Sequence, residues 1–66
     1  MNTTIPATPS ELRDLADQHM AASKRFTRAY VDRDFTDYSQ AQLMRLQNAN
    51  YEIAMQLRAI AAALEG

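Results

Sequence analysis

His19 and Ser23 stand four residues apart in a stretch without glycine or proline. On a helix that spacing puts them on one face, one turn apart, the minimum arrangement for a base-activated nucleophile. The rest of such a site is missing. No carboxylate shares the face to orient the imidazole, and no glycine-rich turn lies near to stabilise an oxyanion. A zinc site needs about three protein ligands, and the chain has one histidine, no cysteine and no H-E-x-x-H spacing. The acidic stretch Asp32, Asp34, Asp37 lacks the sharp-turn glycine of a calcium loop and has Leu43 where the bidentate glutamate belongs. The expectation is a non-enzymatic protein without cofactor or metal.

The remaining polar candidates concern binding. His19, Ser23 and Asn50 interrupt apolar stripes and are expected to form a polar cluster or line a ligand pocket. Lys24, Arg25 and Arg28 make a basic patch that can contact an anion, but Asp14, Asp17 and Asp32 share that face. Arg13 with Asp17 and Arg28 with Asp32 are i,i+4 pairs, so a salt-bridged solvent face is the expectation. Seven basic against eight acidic residues give a net charge of -1. That balance leaves little counterion release, and nucleic acid is not expected as a principal ligand.

These residues are positioned by two predicted helices. Thr8 is the first N-cap, with Pro9 at the first helical position and Glu11 closing a capping box. Ser39 caps the second, with Gln42 as box partner and a Tyr38–Leu43 staple. The polar run between them is the turn. The boundaries read as a disordered arm over 1–7, a helix over about 9–33, a turn at about 34–38 and a helix over about 39–65. The fold class is all-α, a two-helix antiparallel hairpin.

The first helix gathers Leu12, Leu15, Ala16, His19, Ala22, Ser23, Phe26, Ala29 and Tyr30 on one stripe. In the second, Leu43, Leu46, Asn50, Ile53, Leu57, Ile60 and Leu64 recur at three and four residues, a coiled-coil-like seam with Asn50 as its one polar insertion. A turn centred near residue 36 brings Ser23 opposite Asn50 and Phe26 opposite Leu46. A second ribbon, Met44, Tyr51, Met55, Ala59 and Ala62, lies about a third of a turn or more away around the same helix. One partner helix cannot cover both ribbons. The first is assigned to the hairpin and the second to an oligomer or partner interface, where methionine and tyrosine are favoured, although the pattern also allows the two assignments to be exchanged.

Below about 70–80 residues one core seldom suffices without a disulfide, a metal or association, and at 66 residues without cysteine this chain is left with association. A homo-oligomeric helical bundle is expected, a four-helix bundle if the protein is a dimer. In plan alone, with no shared motif, this resembles the dimeric four-helix-bundle regulators, and function does not follow from fold. The leading functional expectation is a homo-oligomer that binds another protein as adaptor or inhibitor, of the kind phage and mobile elements use as accessory proteins. The second is an oligomer that binds or sequesters a small anionic ligand such as a nucleotide, and the third a nucleic-acid-associated regulator. No membrane association and a cytoplasmic location are expected, since no apolar run approaches bilayer length.

Overall fold

A computed structural model describes residues 7–66. The arm expected over 1–7 therefore lies outside the described residues except for Ala7. Two helices, α1 (Pro9–Val31) and α2 (Gln40–Glu65), pack against each other as an antiparallel hairpin. The molecule is one helical layer thick, with Cα extents of 44 × 28 × 14 Å.

Both helix starts follow from their caps. The Thr8 hydroxyl accepts from the Glu11 backbone N–H at 3.1 Å while the Glu11 carboxylate accepts from the Thr8 N–H at 2.9 Å. Ser39 and Gln42 repeat the reciprocal arrangement at 3.2 and 2.8 Å. Each box satisfies two orphan donors of its helix end. The two hydrogen bonds from Thr8 hold the Glu11 carboxyl below its ordinary value of 4.5. A carboxyl lowered by folding stabilises the fold above that ordinary value, and the contribution is lost as the pH falls through the folded one. Thermal melts from about pH 6 down to about pH 3 should therefore decline less for Glu11→Gln, which keeps an acceptor for the Thr8 N–H but does not titrate.

Helix α1 stops at Val31, two residues short of the expected 33, because the chain turns left-handed at Arg33, φ 56°. The Asp34 N–H reaches the Ala29 carbonyl at 2.9 Å and the Arg33 N–H reaches Tyr30 at 3.2 Å, the paired bonds of a Schellman cap. Glycine normally occupies that position, and a side chain there costs roughly 1 kcal/mol. Arg33→Gly is expected to raise stability by about 0.5–1 kcal/mol in urea titrations. Asp34 then closes the turn by accepting from the Thr36 hydroxyl at 2.6 Å and the Thr36 N–H at 3.2 Å, bonds that lower its carboxyl from the ordinary value.

The helix interface differs from the expected seam by one residue. Ala54 and Ala61 are buried on α2, while Ile53, Ile60 and Leu64 are 39, 49 and 59% exposed. Ala16 and Ser23 are the buried residues of α1, and Leu15 is exposed. Leu43, Asn50 and Leu57 belong to both frames, so either gives a three-four repeat. Small residues on both helices let the backbones approach closely, which fits Ala54 and Ala61 between the helices and moves the larger side chains to the flanks. Among the described residues Leu43 is the one large side chain that is fully buried.

The register also slips from the expected one. Ser23 donates to the Gln47 carbonyl at 3.0 Å, and His19, not Ser23, meets Asn50. The turn is longer and pivots slightly earlier than expected, which moves each residue of α1 about a turn along α2. Tyr38 stacks edge-on against Phe26 with ring centroids 5.7 Å apart, so Phe26 reaches the turn.

Candidate functional site

The polar cluster forms in part. His19 Nδ1 and Asn50 Oδ1 are 2.9 Å apart, and Asn50 Nδ2 donates to the Leu46 carbonyl at 2.8 Å. Since the Asn50 amide nitrogen is the donor to Leu46, its oxygen is an acceptor, and His19 must carry a proton on Nδ1. Nε2 makes no hydrogen bond among the described residues. Ser23 does not join the cluster: its hydroxyl is spent on Gln47, and its carbonyl accepts from the Thr27 hydroxyl at 2.9 Å. No hydrogen bond joins Ser23 to His19, so the pair has the spacing of a base-activated nucleophile without that bond.

The basic patch splits. Lys24 and Arg28 border an open groove with Thr27, Val31 and Asp32. Arg25, one residue from Lys24, points to another side of the helix. Of the two expected i,i+4 pairs, Arg28–Asp32 is present at 3.8 Å. Arg13 and Asp17 instead reach across to α2, Arg13 to Glu65 and Asp17 to Arg58 at 3.2 Å. The antiparallel partner supplies an opposite charge at each level, and these cross-helix pairs replace the one within α1. Among the described residues no group of three potential metal ligands is close enough to hold an ion, and no helix is long and apolar enough to cross a membrane.

The apolar surface is the most distinctive feature. Arg13–Glu65 and Asp17–Arg58 bridge the helices on one side of the seam. Counting about 100° per residue puts Met44, Tyr51, Met55 and Ala62 on that side of α2, with Ala59 toward the back. Met44, Tyr51 and Met55 are 46, 50 and 44% exposed, and both alanines are exposed. The same count puts Leu15 and Phe26 of α1, with Ile53, Ile60 and Leu64 of α2, on the opposite side. This second apolar face spans both helices, and size preference in reading the seam concealed it. The signal available in the sequence was the alternative frame of small residues, Ala16, Ser23, Ala54 and Ala61, each pair seven apart. Comparison with protein-family models, curated proteins and solved structures finds no match.

Proposed function

We propose that the protein is a non-enzymatic, homo-oligomeric helical module that acts by binding another protein, as adaptor or inhibitor. The observation that carries this reading is the placement of large apolar side chains on both sides of a seam built from small ones. A hairpin meant to stand alone gains most by putting its leucines and isoleucines between the helices. Here Ile53 and Ile60 flank the seam while Ala54 and Ala61 fill it. Two apolar surfaces on opposite sides of one layer suit two different partners. The Met44–Tyr51–Met55 ribbon is the partner-protein surface in this reading, because flexible methionine side chains and an amphipathic tyrosine adapt to a varied contact.

A second reading, an oligomer that binds a small anion or nucleotide, is favoured by one observation, the groove bordered by Lys24 and Arg28. Native mass spectrometry of the protein isolated from its source cells separates the two. An oligomer carrying a second polypeptide, with that polypeptide lost in Met55→Glu, is the expected result. An oligomer carrying only a small molecule would transfer the function to the groove, and a bare monomer would overturn both.

A further inference from the structure

The face opposite the bridging ion pairs, made by Leu15, Phe26, Ile53, Ile60 and Leu64, has no charged residue at its centre. We propose that a second copy of this chain covers it, turned end for end, with the twofold axis crossing at the level of the His19–Asn50 bond. The proposal rests on the reading of the protein as a homo-oligomer and adds which surface, which orientation and which residues lie at the axis.

Area supports a second copy as the occupant. Helices of 23 and 26 residues run about 35 and 39 Å at 1.5 Å per residue. Side by side they present a strip on the order of 700 Å², close to the roughly 800 Å² each partner contributes to a stable interface. The apolar residues are spread over both helices and along most of their length, so an identical two-helix layer matches the strip in width and in length. A single added helix would leave half of it open.

Charge supports the orientation. Glu11 and Arg25 lie along the outer edge of α1 at this face, with Gln18 midway between them. Gln42, Ala49 and Gln56 lie along the outer edge of α2, with Arg45 behind them and Ala49 midway. The α1 edge is therefore acid at one end and base at the other, and the α2 edge is neutral apart from Arg45. A copy turned end for end sets Glu11 against Arg25 at both ends of the α1 pair, whereas a copy in the same direction sets Arg25 near Arg45. Gln18 and Ala49 fall beside His19 and Asn50, which are joined at 2.9 Å. The axis thus passes at a polar pair already joined by a hydrogen bond of its own, leaving His19 Nε2 and the second amide N–H of Asn50 to meet the copy or a water. A net charge of -1 per chain opposes association very little.

Sedimentation equilibrium on the full chain tests the surface. The wild type should be a dimer, and Ile53→Glu and Ile60→Glu, both at exposed positions that leave the hairpin folded by circular dichroism, should weaken association at least 30-fold. Met55→Glu should leave the dimer intact. A monomeric wild type, or a dimer disrupted by Met55→Glu and not by Ile53→Glu, would overturn the assignment. Single cysteines test the orientation in a chain that has none of its own. Under oxidation Ala49→Cys, beside the axis, should link to its copy, and Leu64→Cys, near the far end, should not. Linkage through Leu64→Cys alone would mean copies running in the same direction. Loss of the partner protein with the dimer retained would remove the adaptor reading and leave this inference standing.

Discussion

Ala54→Leu is expected to destabilise the hairpin by about 2–3 kcal/mol, a larger effect than any substitution at the neighbouring isoleucine of similar volume. Ala54 is fully buried between the two helices, level with Ala16 in the register fixed by Ser23 and Gln47. Three added carbons have nowhere to go there. The helices must separate, and the bonds from Ser23 to Gln47 and from His19 to Asn50 lengthen with them. Ile53→Leu, at a 39% exposed position on the flank, should change stability by less than about 1 kcal/mol. Urea titration of the two variants side by side checks the seam directly. Were the seam to run through Ile53 and Ile60, Ala54→Leu would be tolerated.

The second large effect is expected at the turn end of the same seam. Leu43 is 1% exposed and is, among the described residues, the single large side chain removed from water entirely. Truncation to alanine loses its transfer free energy and leaves a cavity bounded by two helices and a short turn, at a cost of about 3 kcal/mol. A domain of this size seldom holds more than about 3–5 kcal/mol. Leu43→Ala should therefore be largely unfolded at room temperature by circular dichroism. Met44→Ala, one position on and 46% exposed, should lose under about 1 kcal/mol.

Much of this architecture was legible in the residues. Capping boxes are local, so Thr8 with Glu11 and Ser39 with Gln42 could be read as helix starts without knowledge of the fold. The end of α1 was harder, because its left-handed residue is Arg33 and no glycine marks it. The hairpin seam could be read in two frames that share Leu43, Asn50 and Leu57. Size favoured the frame with isoleucines, and the small residues facing it from α1, Ala16 and Ser23, decided for the other. That decision depends on register, a property of two helices together which neither pattern contains alone. The same holds for Arg13 and Asp17, whose i,i+4 spacing competes with cross-helix partners visible only once the helices are docked.

The candidate site was legible to a similar depth. His19 and Asn50 stood out as polar interruptions and do meet. Ser23 stood out equally and bonds a backbone carbonyl instead, since a one-turn slip decides which acceptor a buried hydroxyl reaches. The face of Leu15, Phe26, Ile53, Ile60 and Leu64 followed only from the frame change, and it moved the proposed self-interface away from Met44, Tyr51 and Met55.

The central claim is that this hairpin completes its core by association, and the concentration dependence of its thermal melt tests that most directly. Unfolding coupled to dissociation shifts by mass action, so the midpoint should rise by several degrees between about 1 and about 100 µM chain, and the rise should vanish in Ile53→Glu. A midpoint that stays constant across that range for the wild type would contradict the account, since unfolding would then not be coupled to dissociation.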